Sequence, residues 1–460
     1  MRNLLIFIFS VALLFGSCAK FDHEPLNQLD QDAVFNTRSG LDAAIRGAYD
    51  ILQSAALGMD VMVIGDLAAD NLIATGSKKQ YKEISNNRIF PDNSYIASIW
   101  NDSYDGINRV NNIFENIDNV AGLSDSDKNI VFGQMHFLRA LHYFNLVKMF
   151  AGVPIRESVI KGTSDEELNI PRSDEGQVYE YIINELIAAK TAFAGYNETS
   201  AIIADYGAAS ALLARVYLYN GQWQNAIDEA LEVVNSGNYA LADDMSLLYD
   251  ETTNADELIF VIDYFNDQST MGIADWLHPE GRFEAAAWET SSKESSIYDA
   301  FEDADLRRDI TVGQSPSGDY HCNKYTDVAS SSDNVIVLRF AEMYMILAEA
   351  MNELGYSDDE SEGSAFWYLN QIRVRAGLNA YSSTDIINQA SFRLAIENER
   401  RLEFAFEGHR FFDLKRTGRG EAVLPDIGTL ISQCNMLFPI PLSELDNNDS
   451  DGMTQNQGYN

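Results

Sequence analysis

Apolar residues recur along this chain mostly at helical spacing, and the clearest case lies over 203–236. Trp223, Ala226, Ile227, Ala230, Leu231 and Val234 fall three and four residues apart, which lays one apolar stripe along a helix. Upstream, Ala208, Leu212 and Val216 share a face with Ala209, Leu213 and Tyr217. Asn220-Gly221-Gln222 lies between the two runs as a short turn, so the pattern predicts an antiparallel helix pair. The same reasoning predicts helices over 39–54, with Ser39 as N-cap, and over 98–119, 125–150, 174–194, 337–354, 363–376 and 390–406. Gly152 and Pro154 stop the helix over 125–150.

Three stretches break this periodicity. Residues 58–98 are mixed and polar and read as loops and short pieces, and 417–460 is irregular. Over 238–335, short apolar runs such as Leu258 to Ile262 alternate with Asn, Asp, Ser and Gly clusters, broken again by Pro279, Gly281, Pro316 and Gly318. This reads as a loop-rich insertion, and structured loops on a rigid scaffold commonly carry function. Small alanines at a helix crossing, followed by a large aromatic opening the next helix, resemble a tetratricopeptide hairpin. The fold class expected is mostly α: a tetratricopeptide-like helical-repeat scaffold with an irregular, short-strand insertion.

The N-terminus has its own pattern. Met1-Arg2-Asn3 is followed by Leu4 to Phe15, in which only Ser10 is polar. That run is shorter than the roughly 20 residues a membrane span takes and suits a secretory signal. Gly16 and Ser17 then precede Cys18, a pattern that resembles a bacterial lipoprotein processing site. Cys18 is thus the expected lipid anchor, and two or more acyl chains hold a protein stably at a bilayer. The expected organisation is a signal peptide over 1–17, a tether over 18–38, an N-terminal helical part over 39–237, the insertion over 238–335 and a C-terminal helical part over 336–460, in one integrated fold.

Charge narrows the ligand classes. The chain carries 70 acidic against 32 basic residues, a formal charge of −38. Such a polyanion repels nucleic acid and lacks the basic surface that holds anionic lipid. Three cysteines are too few for a disulfide-built scaffold, and Cys322 and Cys434 are expected either to pair or to remain buried thiols. No nucleophile elbow, metalloprotease helix, Walker loop or dinucleotide fingerprint is present in the sequence. His136 and His142 are six apart, about 600° of helical rotation, and so point to opposed sides, poor for a shared metal. Asn447, Asp449, Asp451 and Gly452 mimic the start of a calcium loop, but Gly458 stands where its bidentate Glu belongs. No cofactor and no metal is expected.

Aromatic residues outside the helices are the more informative set. Tyr264, Trp276, Trp288 and Tyr320 lie in the insertion, and Tyr81 and Tyr95 in the polar N-terminal region. An aromatic face offers a platform for the apolar C–H face of a sugar ring, whose hydroxyls then need amide or carboxylate partners. Asp70, Asn71 and His278 are the candidate partners. Lys78, Lys79 and Lys82 form a small basic cluster beside this region.

Several motifs resemble one family in register across nearly the whole chain. They are Trp100-x-x-x-Tyr104-x-x-Ile107-x-x-x-Asn111, FLRALHYFNLVKMFAGVPI (137–155), YGAASALLARVYLYNGQW (206–223), VLRFAEMYMILAEAMNE (337–353), LNQIRVRAGL (369–378), IENERRLEFAFEGHRFFDLKRTG (396–418), and a close of FPIPLSEL (438–445) and QNQGY (455–459). On these the chain resembles the SusD/RagB family of lipid-anchored nutrient-binding proteins. The resemblance implies a lid on the exterior of the outer membrane. Such a lid captures an oligosaccharide, neutral by the charge argument, and delivers it to a SusC-like TonB-dependent transporter without catalysis. Alternatives are a surface glycoside hydrolase or a peptide-binding member of the same group. Arg400, Arg401, Glu403, Glu407, Arg410 and Asp413 place mixed charges on and beyond one helix, a network expected to hold the C-terminal segment against the helical body.

Overall fold

The computed structural model describes residues 35–161, 164–250, 255–264, 272–287, 296–424 and 436–459. The expected signal peptide, Cys18, Trp288 and Cys434 lie outside the described residues. The protein is mostly α-helical, as its apolar spacing dictates. Helix α1 (Arg38–Asp50) is capped by Thr37, whose hydroxyl accepts from the Gly40 amide, and Ser39 lies inside the helix. The expected tether therefore ends before residue 38, and Phe35 already packs in the core.

Residues 58–98 hold more structure than their polarity predicts. A π-helical turn over Ala55–Asp60 runs into α2 (Val61–Leu67), followed by β1 (Leu72–Ala74) and α3 (Lys79–Ser85). These elements are short, and α2 is wholly buried, so packing rather than an amphipathic stripe holds it. Helix α4 (Ser94–Asn116) starts four residues earlier than expected because Asn93 caps it. Helix α5 (Asp125–Phe150) carries a Ser124–Asp127 capping box and is buried without a break from Phe137 to Val147. It is the central helix, packed between α4 and α6 (Glu175–Ala192). Buried Arg139 joins all three through Glu185 on α6 (2.8 Å) and Asn111 on α4 (2.7 Å).

The helix pair is present as α7 (Tyr206–Tyr219) and α8 (Trp223–Asn235), which pack on each other. The insertion then opens with β2 (Leu258–Ile262) and includes α9 (Ile273–Leu277), β3 (Ala285–Ala287), β4 (Val312–Gln314) and β5 (Tyr320–Cys322). It closes with β6 (Val335–Arg339), which pairs antiparallel with β2. The span expected as helix from 337 thus begins as a strand. Its Val-Ile-Val run favours extended backbone, and α10 (Phe340–Leu354) starts only after Arg339. Helices α11 (Ala365–Arg375), α12 (Gln389–Glu403), α13 (Arg410–Arg416) and α14 (Leu442–Asn447) complete the chain. Helix α10 packs against α8, α11 and α12 and so joins the two helical parts.

A buried charge network ties these parts together, with a wider reach than its sequence spacing implies. Glu403 does not pair along its own helix. It takes Arg339 at 2.6 Å, Arg307 at 3.0 Å, and Arg375. Arg339 also binds Glu257 at 2.7 Å and Glu407 at 2.8 Å, and Lys324 reaches Glu407 at 2.6 Å. Glu257, Arg307 and Lys324 belong to the insertion, so the network seats the insertion on the C-terminal helices. Arg400 turns away to Asp413 (2.8 Å).

The turn after α12 meets α2 at van der Waals distance. Gly408 has φ +78°, and its amide donates to the Asp66 carboxylate at 2.7 Å. A Cβ on Gly65 would lie 2.2 Å from the Gly408 carbonyl oxygen, so no other residue fits there without moving backbone.

Glu403 sits fully buried among cations, which hold its carboxyl well below the usual range despite burial that raises it. Its stabilising contribution is present above the unfolded-state value near 4.3 and is lost as pH falls below it. Glu403→Gln leaves three arginines short of a counter-charge and is expected to cost about 3–5 kcal/mol in urea unfolding. A loss under about 1 kcal/mol would show that the network does not hold the fold.

Candidate functional site

The site lies on the seam between the N-terminal region and the insertion. Strand β1 pairs antiparallel with β3 in the register Leu72↔Ala287, Ile73↔Ala286 and Ala74↔Ala285. The Thr75 and Gly76 amides continue the ladder by donating to the Glu284 carbonyl at 3.0 and 3.2 Å. Gly76 carries no Cβ because one would fall 1.8 Å from the Glu284 carboxylate, which accepts from the Lys78 amide at 3.3 Å. On the other side, the Glu284 amide donates to the Trp276 carbonyl (2.8 Å), folding 276–284 back on itself.

This seam brings three of the predicted aromatics together. Tyr81 on α3 lies 5.0 Å from Tyr95 and 5.3 Å from Trp276 between ring centroids. Tyr95, in the first turn of α4, meets the Trp276 ring edge-on at 6.2 Å. Asn93 fixes that turn: its amide group donates to Glu83 (2.8 Å), while its carbonyl oxygen caps Tyr95 and Ile96. Trp276 and Tyr81 are buried, and Tyr95 is the half-open ring of the three. Lys78 and Arg282 stand over Trp276, with Nζ at 5.6 Å and Cζ at 5.5 Å from the ring. Arg282 is exposed and pairs with Asp275 at 2.7 Å.

The other candidates are placed differently. His278 packs edge-on against His321 at 4.9 Å, joining the end of α9 to β5. Tyr320 precedes His321 in the strand and so points to the other face of the β4–β5 ribbon, where it stacks on Tyr298 at 4.4 Å. Asp70, Asn71 and Tyr264 are not available to a ligand. Asp70 is buried and held by Arg410 (2.6 Å) and Arg401 (3.2 Å). Burial would raise its carboxyl, but the two arginines outweigh it and hold it down to about 2. Asn71 is buried between Asp66 (2.6 Å) and Arg401 (3.1 Å). Tyr264 is buried and donates to the Gln53 carbonyl at 2.9 Å. These three are packing residues, turned inward by partners remote in sequence.

Arg282, Glu284 and Asp60 join the site without any periodic signal to mark them. The Tyr81 hydroxyl donates to the buried Asp60 carboxylate at 2.9 Å. Burial pushes Asp60 up to about 7, and burial together with Asp60 pushes the Tyr95 hydroxyl up to about 12. Among the described residues, no three His, Cys, Asp or Glu side chains are grouped to hold a metal ion. The arrangement offers the half-open Tyr95 ring, backed by two buried rings and bordered by two cations and two carboxylates, which suits recognition of a polyhydroxylated ring.

The geometry defines a class: a helical-repeat protein presenting an aromatic seam built by an insertion. Comparisons with known proteins agree with it. The SusD family model matches residues 235–429, and a second model, described as starch-binding associating with outer membrane, matches residues 21–218. SusD-like protein P2 of Formosa agariphila is 29% identical over 99% of both chains. A solved laminarin-binding SusD-like protein is 26% identical, with a TM-score of 0.75 over 92% of this chain and 100% of that one. A SusD-like protein of Bacteroides fragilis shares the fold at a TM-score of 0.77 and 24% identity, over 95% of this chain and 100% of that one. The chain belongs to the SusD/RagB family.

Asp60 gives the site a pH signature. The folded protein keeps a proton on Asp60 up to about pH 7 that the unfolded chain releases near 3.9. The Asp60 contribution to stability therefore falls as pH rises from about 4 to 7, and stays at the lower level above that. Asp60→Asn cannot ionise and keeps an acceptor for Tyr81. It is expected to flatten this part of the pH–stability curve and to gain on the order of 1–3 kcal/mol at pH 8. Parallel curves for the two proteins would contradict the placement.

Proposed function

We propose that this chain is a cell-surface glycan-binding lipoprotein, anchored in the outer membrane through Cys18 and facing the exterior. It takes a neutral oligosaccharide on the Tyr95–Trp276 seam and passes it to a SusC-like TonB-dependent transporter. The observation that carries this reading is the convergence of Tyr81, Tyr95 and Trp276 from two distant segments at one seam with a half-open ring. A sugar ring laid on Tyr95 buries its C–H face, and its hydroxyls reach Lys78, Arg282, Asp275 and Glu284. Cations and carboxylates alternate there, so no single ligand charge is favoured locally, and the charge of −38 disfavours polyanionic glycans. The laminarin-binding relative supports the ligand class, and the outer-membrane association in one family description supports the location. Import draws its energy from the transporter, so the lid has only to bind and release.

The test is retention of the secreted fragment on a panel of soluble polysaccharides, with reducing-sugar release measured alongside. Binding without sugar release is expected, and Tyr95→Ala should weaken it about tenfold, the value of one ring contact. Turnover of the bound glycan, or binding indifferent to Tyr95, would overturn the reading. In cells, Cys18→Ala should move the protein out of the membrane fraction, and unchanged fractionation would remove the anchor from the account.

A further inference from the structure

A large cleft lies away from this seam, in the helical scaffold. It measures about 630 Å³ and is bounded by the start of α6, the α7–α8 turn, the second half of α10, α12 and α13. None of its lining residues belongs to the seam. Its size is that of a small-ligand pocket.

The cleft contains an unmet hydrogen-bonding demand. Arg400 lines it and is only 2% exposed. Its Nε donates to Asp413 at 2.8 Å, and its guanidinium lies over the Phe404 ring at 5.1 Å. Nη1 and Nη2 are buried and find no acceptor among the described residues. Buried donors of this kind are costly, and a ligand acceptor placed there recovers that cost.

The remaining lining selects the ligand. The other three arginines are engaged: Arg416 with Glu349 and Asp413, Arg393 with Glu353, and Arg419 with Glu397. Adding the exposed rim residue Glu175, four arginines face five carboxylates. An anion finds no positive surplus there, and a cation meets Arg400. A neutral group that accepts from Arg400, donates to the neighbouring carboxylates and lays an apolar face on half-buried Trp223 satisfies every element. We infer that the Arg400–Trp223 cleft is a second, separate saccharide-binding site, taking one or two neutral sugar units.

The test uses the secreted fragment with methyl glucoside, methyl galactoside, methyl mannoside and methyl xyloside as probes, read by saturation-transfer NMR, with acetate and glycine as competitors. Binding of at least one glycoside is expected. Trp223→Ala should weaken it about tenfold and Trp223→Phe much less. In a Tyr95→Ala background, where the seam is disabled, Trp223→Ala should abolish the remaining signal, which separates this inference from the proposed function. Arg400→Lys, checked for folding by circular dichroism, should weaken binding similarly, and if it does not fold, the Trp223 pair decides. No glycoside binding, binding insensitive to Trp223, or displacement by acetate or glycine would overturn the inference.

Discussion

The structure depends on three buried carboxylates, Glu257, Glu403 and Glu407, shared among Arg307, Arg339, Arg375 and Lys324. Taking these charges out of water is expensive, and the cost is met only when all the partners are in place together. Displacing the insertion by a few ångströms would strand several charges at once. The network therefore acts on position more than on net stability, and it seats an irregular segment whose apolar pattern alone would dock it only loosely.

That seating reaches the aromatic seam through a short chain of contacts. Glu403 and Glu407 flank the turn that brings Gly408 against Gly65 of α2. Helix α2 leads into β1, and β1 holds β3 of the insertion in register. Asp70 lies between α2 and β1, and Arg410 and Arg401 fix it from the C-terminal helices. Arginine–carboxylate pairs thus position β1 from the C-terminal helices, and β1 in turn positions the strand of the insertion that follows Trp276. A platform held in place by its scaffold loses little entropy on meeting a ligand, which favours binding on a shallow aromatic surface.

Much of the helical frame was legible because amphipathic stripes and caps are local signals. Ser124 and Gly152 bracket α5, and the Trp223 stripe marks α8. What escaped were elements defined by remote partners. Helix α2 is buried on every side and bears no stripe, and β6 hides at the head of a helical pattern. The same division runs through the site. Tyr81, Tyr95 and Trp276 could be named as exposed-region aromatics and do converge. Asp70 and Asn71 read as ligand partners only because Arg401 and Arg410, which claim them, are far along the chain. Asp60, Arg282 and Glu284 have no sequence pattern to mark them: the β1–β3 pairing brings Arg282 and Glu284 to the rings, and Asp60 arrives through its bond to Tyr81.

Hydrogen–deuterium exchange of the chain from residue 19 onward, with and without the soluble oligosaccharide retained best in the panel, tests the seam most directly. Slower exchange on binding is expected at 72–95 and 273–287, with helix α5, which lines neither the seam nor the Arg400–Trp223 cleft, unchanged. Protection that spares both seam segments would contradict recognition at this face.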